Sequence, residues 1–196
     1  VGIGLQSVSL ITGITKWAFS KSSRVVKSTA AIKNKLKRNI PNYKNPINPE
    51  IITDQAVRSI YVKAYEAEPG ITNDLLNLTD DMSGDLHGLE YRMKTPESTL
   101  EKIARDRADI KSSVNITDAD IAGQFKDLVR YTYATTPENL VEETTELLKQ
   151  LENNGYKIGP IKNTFVDKKN PVDMINIRVE SPTGQVFELQ ANTPNN

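Results

Sequence analysis

Cysteine is absent from the 196 residues, so neither a disulfide framework nor thiol chemistry is available to this chain. Histidine occurs once, at His87, which argues against a His-rich metal site and against a Ser-His-Asp triad. Net charge is missing too, since 25 basic residues balance 25 acidic ones. A duplex-DNA partner is therefore not expected, because such binders carry a strong basic excess. Long apolar runs are also lacking. The first nineteen residues are apolar in patches, but Gln6, Ser7, Ser9, Thr12, Thr15 and Lys16 interrupt them and no basic stretch precedes them. Neither a membrane span nor a standard secretory leader is expected. The chain opens on Val, as expected of a fragment or processed product of a longer protein.

What is present suits a globular domain: 37% of residues are hydrophobic and 26% charged. The length fits one domain of ordinary size, or one domain with a loosely attached extension. Charge is unevenly spread. Residues 1–44 hold nine Lys and Arg, clustered at Lys33, Lys35, Lys37 and Arg38, and acidic residues begin only at Glu50. Such a segment can meet RNA, an anionic membrane or an acidic partner, or serve as a solvated linker. The stretch Asn39–Pro49 carries three prolines and four asparagines and reads as a linker or extended wrap. We therefore expect a basic extension and Pro/Asn-rich linker over 1–48 and a folded domain over 49–196.

Periodicity predicts a helix at Ser22–Leu36 and another from Pro49 to about Glu66, with Ile52, Val57, Ile60, Tyr61 and Ala64 on one stripe. Pro69-Gly70 reads as a stop, with helix resuming over Thr72–Leu78. A helix begins at Pro96, where a missing N–H costs nothing. The strongest helical signal is Pro137–Asn153, with Leu140, Val141, Thr144, Leu147, Leu148 and Leu151 along one face. Thr136 is its expected N-cap and Asn154-Gly155 its stop. Strands are expected at Asp127–Thr135, Tyr156–Phe165, Val172–Val179 and Gln185–Gln190, the last two joined as a hairpin through Ser181-Pro182-Thr183-Gly184. These elements make an α+β (or α/β) sheet domain with at least one covered face.

The hairpin alternates. Phe187, Leu189 and Ala191 face one way; Glu188, Gln190 and Asn192 face the other, beside a second polar row of Asn176 and Arg178. A carboxylate, amides and a guanidinium on one surface can hold a metal and a polyanionic nucleotide, or simply face water. Arg92 and Lys94 sit two residues apart; on an extended strand they would face the same side and clamp neighbouring phosphates, with Ser98 and Lys102 close behind. Asp127 and Arg130 open a strand that is otherwise apolar or aromatic, where charge is expensive.

Three of these segments resemble the synthetase domain of the RelA/SpoT alarmone family, a branch of the nucleotidyltransferase-like folds. Arg92-Met-Lys94-Thr-Pro-Glu-Ser98 is similar to its Arg-x-Lys-x-x-x-Ser segment. Asp127-Leu-Val-Arg130-Tyr is similar to its Asp-Leu-x-Gly-Ile-Arg strand, two residues shorter before the arginine. Glu188-Leu-Gln190-Ala-Asn-Thr193 is similar to its Glu-x-Gln-x-x-Thr strand. The likeness runs from Leu89 to Pro194, and its nearest variety is the divergent branch found in polymorphic toxins and phage-associated proteins.

The resemblance implies a mixed sheet flanked by helices, ATP as donor substrate and Mg²⁺ as cofactor. It implies transfer of pyrophosphate to the 3′-hydroxyl of GDP or GTP, of ADP or AMP, or of the end of tRNA. Arg92 and Lys94 would grip the ATP phosphates, supported by Ser98, Lys102 and Arg130. Asp127 would hold the metal, Glu188 would bind it or prepare the attacking hydroxyl, and Gln190 would orient Glu188 or the ribose. Lys162 would contact phosphate, and Asn176 would line the nucleotide site. The branch also implies a cytoplasmic site of action, delivery as a secreted effector or phage-associated protein, and a neutralising immunity or antitoxin partner.

Two departures stand out: Val172 occupies the position of the family's base-stacking tyrosine, and Asn176 that of a histidine. Valine cannot stack a base. A single His also leaves no metal-binding hydrolase half. Two alternatives stay open: a catalytically silent relative that binds a nucleotide or a protein, and an NAD-dependent ADP-ribosyltransferase, whose Ser-Thr-Ser strand and Glu-x-Glu pair are missing here.

Overall fold

The computed structural model describes residues 47–110, 115–166 and 172–194. The expected helix at Ser22–Leu36 and nearly all of the basic extension lie outside these residues.

Five strands form one mixed sheet: β1 (Asp85–His87), β2 (Arg130–Ala134), β3 (Lys157–Asn163), β4 (Ile175–Glu180) and β5 (Val186–Asn192). Their order is β1-β2-β5-β4-β3, with β2 and β5 parallel and every other pair antiparallel. Among the described residues four α-helices accompany it: α1 (Gln55–Thr79), α2 (Pro96–Asp109), α3 (Asp118–Gly123) and α4 (Leu140–Asn153). Strict alternation along β4 and β5 sends Ile175, Ile177, Val179, Phe187, Leu189 and Ala191 to one face, all buried. Tyr131 joins them and meets the edge of the Phe187 ring at 5.5 Å between centroids. The other face carries the polar residues. The mixed α/β architecture expected from the sequence is therefore present, and among the described residues no helix is long and apolar enough to cross a membrane.

One expectation fails in α1. The helix does not stop at Pro69-Gly70 but continues to Thr79. Its buried stripe is unbroken, with Val57, Tyr61, Ala64 and Glu68 before the proline and Ile71, Thr72 and Leu75 after it. Pro69 and Gly70 both lie on the solvent side. An interior proline costs about 3 kcal/mol. Burying Ile71 and Leu75 returns roughly 1.5–3 kcal/mol each, enough to carry the helix through. The start is fixed by Asp54, whose carboxylate accepts from Val57 N at 2.9 Å.

The α4 helix begins three residues later than expected. Residues 137–139 form a turn, and Asn139 N and Leu140 N donate to Thr136 O at 3.1 and 3.0 Å. Thr136 thus serves through its carbonyl, not its hydroxyl, and Asn139 is the residue at the cap. The first turn of α4 is instead tied down by Glu143, which accepts from Tyr133 Oη at 2.6 Å, Thr135 Oγ1 at 2.7 Å and Ser83 N at 2.8 Å. At the start of the described chain Ile47 and Pro49 are buried, so the end of the Pro/Asn-rich stretch belongs to the packed body.

Candidate active site on the polar face of the sheet

The parallel pairing of β2 with β5 sets Arg130 opposite Glu188, and the antiparallel pairing of β5 with β4 sets Glu188 opposite Arg178. A second row runs Thr132, Gln190, Asn176, Lys162 across four strands. Two polar rows of cross-strand neighbours therefore share the uncovered face. Within them, Arg130 Nε donates to Glu188 Oε2 at 2.5 Å, Gln190 Nε2 donates to the same oxygen at 3.3 Å, and Thr132 Oγ1 donates to Gln190 Oε1 at 3.4 Å. Gln190 and Arg130 thus share one oxygen of Glu188.

Asp127 lies just before β2. Lys102 Nζ, from the second turn of α2, donates to Asp127 Oδ1 at 2.7 Å, and Lys94 Nζ donates to Oδ2 at 3.0 Å. Arg130 completes the set, with Nη2 at 3.8 Å from Asp127 Oδ2. Burial works against the charge on Asp127, but the hydrogen bonds from Lys102 and Lys94 outweigh it and hold its carboxyl down at about 2. It is ionised at any physiological pH, so it is a poor proton acceptor and a good anionic anchor. Lys102 also sits over the Phe125 ring, 4.3 Å from its centroid, which fixes the ammonium from the other side.

Two clefts flank these groups, and Asp127 lines both. The first, of about 390 Å³, is bounded by Tyr91, Met93, Lys94, Ser98 and Arg130; Ile47 also lines it. The second, of about 330 Å³, is bounded by Lys126, Lys162, Asn176, Arg178 and Glu188. Asn176 Oδ1 is buried there without a hydrogen-bond partner. Ser98 contributes through its place in the first turn of α2, where Thr95 Oγ1 accepts from Ser98 N at 3.2 Å. That helix N-terminus opens on the first cleft, which Thr95 and Ser98 line.

Arg92 departs from the expected geometry. It is not on an extended strand and does not share a side with Lys94. Its backbone is helical, following the 3₁₀ turn Leu89–Tyr91, and its side chain is buried. The guanidinium pairs through Nε with buried Glu68 of α1 and donates through Nη1 to Leu89 O at 2.6 Å. The phosphate clamp expected of Arg92 with Lys94 is thus not formed; the cations facing the first cleft are Lys94 and Arg130. Buried arginine needs a buried partner, and Glu68 supplies it from the far helix.

Several contributors were not evident beforehand. Glu68 falls on the apolar stripe of α1, and an acidic residue at such a position is a usable signal of a buried ion pair. Tyr61 reads as core, yet its hydroxyl donates to Lys94 O and meets Thr99 Oγ1 at 2.9 Å, fixing the backbone that presents Lys94. Burial pushes that hydroxyl up to about 12, so it stays protonated. Lys126 was hidden by adjacency to Asp127, and Tyr91 by the brevity of its turn. Among the described residues no group of three or more Asp, Glu or His gathers as a metal-holding cluster.

No family model matches the chain, and no curated protein matches it. Among solved structures, it is similar to a chain in the crystal structure of the complex between the Type VI effector Tas1 and its immunity protein. The TM-score is 0.50 at 20% identity, over 73% of this chain and 64% of that one. The likeness is one of fold, and it spans less than two thirds of the other chain.

Proposed function

We propose that this chain is a Mg²⁺-dependent transferase domain that moves a pyrophosphoryl group from ATP to the 3′-hydroxyl of a nucleotide or RNA. The observation that carries the reading is the carboxylate pair Asp127 and Glu188, linked by Arg130, ringed by Lys94 and Lys102 and lying where two clefts meet. In that reaction the acceptor oxygen bonds to the β-phosphorus of ATP. The bond from that phosphorus to the α–β bridging oxygen breaks, AMP leaves with the oxygen, and the acceptor proton passes to the Glu188 carboxylate. Such transfers need positioning and cations more than covalent help, which is what this site offers.

The donor set suits Mg²⁺, which takes one or two carboxylates together with substrate phosphates. When bound, the ion would neutralise charge growing on the phosphate oxygens. Both Asp127 oxygens already carry ammonium groups, so metal and nucleotide would enter together. Lys94 and Lys102 would then turn from Asp127 to the incoming phosphates, conserving the charge balance of the site. Lys126, Lys162 and Arg178 would hold the acceptor in the second cleft.

The likeness to a chain of the Tas1 complex supports placing this domain as the toxic or effector module of a larger protein, acting in cytoplasm where ATP is present and countered by a neutralising partner. A second reading, a silent nucleotide-binding relative, is favoured by one feature: Val172, half-exposed, stands where a stacking tyrosine would.

Incubating the protein with Mg²⁺, labelled ATP and GDP, GTP, ADP, AMP or tRNA in turn should yield a labelled acceptor product and AMP. Folded protein that yields none with any acceptor would overturn the transferase. Tight nucleotide binding by calorimetry in that same protein would leave the silent relative standing.

A further inference from the structure

The turn that buries Arg92 also determines what faces the first cleft. A 3₁₀ helix has three residues per turn, so Leu89 and Arg92 fall on one side and Glu90 and Tyr91 are left for the other. Leu89 and Arg92 are both buried, at 4% and 2% exposure, while Tyr91 is 79% exposed, the most exposed large hydrophobic side chain among the described residues. The turn is closed at each end. Gly88 enters it at φ 61°, a left-handed conformation that a glycine adopts without strain, and its carbonyl accepts from Tyr91 N at 2.9 Å. The Arg92 ion pair with Glu68 anchors the exit. Arg92 O in turn accepts from Arg130 N at 2.8 Å, so the turn is tied to β2 itself. The backbone that presents this exposed tyrosine is thus anchored by a buried ion pair.

The cleft behind it is lined by unlike groups. Tyr91, Met93 and Ile47 are apolar, Lys94 and Arg130 are cations, and Asp127 and Glu90 are carboxylates. A ligand that meets the apolar groups and the cations together carries a flat apolar part joined to phosphates, and Mg²⁺ brought with those phosphates would offset the two carboxylates. At about 390 Å³ the space is of the size that small-molecule ligands occupy.

We infer that Tyr91 is a stacking platform for the base of a nucleoside triphosphate, held in the first cleft with its phosphates toward Lys94 and Arg130. The inference rests on the transferase reading for the identity of the site, but it concerns the base, not the chemistry. Stacking on an aromatic face tolerates any base, since each has a π-face, so Tyr91 gives affinity for the nucleoside without choosing between purines. Selection of the donor base then falls to other residues.

The test is calorimetric titration of wild type, Tyr91→Ala and Tyr91→Phe with ATP, GTP and inorganic triphosphate, in the presence of Mg²⁺. Stacking predicts that Tyr91→Ala weakens ATP and GTP alike by on the order of ten-fold, whereas Tyr91→Phe stays within about two-fold of wild type. Inorganic triphosphate, having no base, should bind all three proteins equally. Equal ATP affinity in wild type and Tyr91→Ala overturns the platform and leaves the transferase reading standing. Loss of triphosphate binding in Tyr91→Ala also overturns it, by showing that the side chain shapes the loop instead. If wild type binds neither ATP nor triphosphate, both readings fall.

Discussion

Arg130 Nε donates to Glu188 Oε2 at 2.5 Å across two parallel strands, and its Nη2 reaches toward Asp127 Oδ2 at 3.8 Å. One guanidinium therefore spans the two carboxylates of the site. Replacing Glu188 with Gln keeps the size and most hydrogen bonding while removing the charge. Arg130 is 44% exposed, so the lost ion pair should cost no more than about 1 kcal/mol. Turnover should fall about 10²-fold or more if Glu188 accepts the proton. Melting temperature and initial transfer rate, measured on the same preparation, separate the two effects. A rate near wild type would reduce Glu188 to a surface residue.

Asp127 links the site to pH. Its folded-state acidity is held at about 2, below the ordinary carboxylate value of 3.8. The unfolded chain therefore binds more protons between those values, and the associated stability, present above about pH 4, is lost as pH falls toward 2. The magnitude is on the order of 2 kcal/mol. In Asp127→Asn the two ammonium groups lose their partner at every pH. Urea unfolding should show the variant less stable than wild type at pH 7 and the gap closing toward pH 2. A gap that is constant with pH would mean that the charge of Asp127 contributes nothing.

The Glu68–Arg92 pair should behave as a unit. Removing Arg92 alone (Arg92→Met) leaves a buried carboxylate and should destabilise by about 3–5 kcal/mol. Adding Glu68→Gln to that variant removes the stranded charge and should recover part of the loss. The coupling is read by a double-mutant cycle in denaturant. Additive effects would show that the two side chains do not depend on one another.

Asn176 Oδ1 is a buried acceptor without a partner, an arrangement that costs stability. Asn176→Val should leave stability unchanged or raise it by up to about 1 kcal/mol, while raising the KM for the acceptor. A fall in stability with unchanged KM would make Asn176 an ordinary strand residue.

Where a residue's environment is set by its own element, the sequence reveals it. The alternation from Phe187 to Asn192 identifies both faces of β5, and with them Glu188 and Gln190, because side-chain direction in a strand depends only on parity. The apolar face of α4 is readable for the same reason. Arg92 is not readable this way. Its fate depends on Glu68, twenty-four residues away on another helix, and on a 3₁₀ turn too short to leave a periodic trace. The passage of α1 through Pro69 depends likewise on what lies under Ile71 and Leu75, which a local breaker signal ignores. The three-residue β1 gives no pattern at all and exists because β2 offers it an edge.

The sheet order places β5 between β2 and β4, the only described strand that touches both. Without Val186–Asn192 the strands form two ribbons, β1 with β2 and β3 with β4, that no other described strand joins. Arg130 then faces no carboxylate on its neighbouring strand, and the second cleft lacks the wall that Phe187 and Glu188 give it. Joining Arg130 to Glu188 therefore closes a loop of 58 residues, a long-range contact of the kind that forms slowly. Until β5 docks between its two neighbours, the polar rows of the sheet stay in two halves.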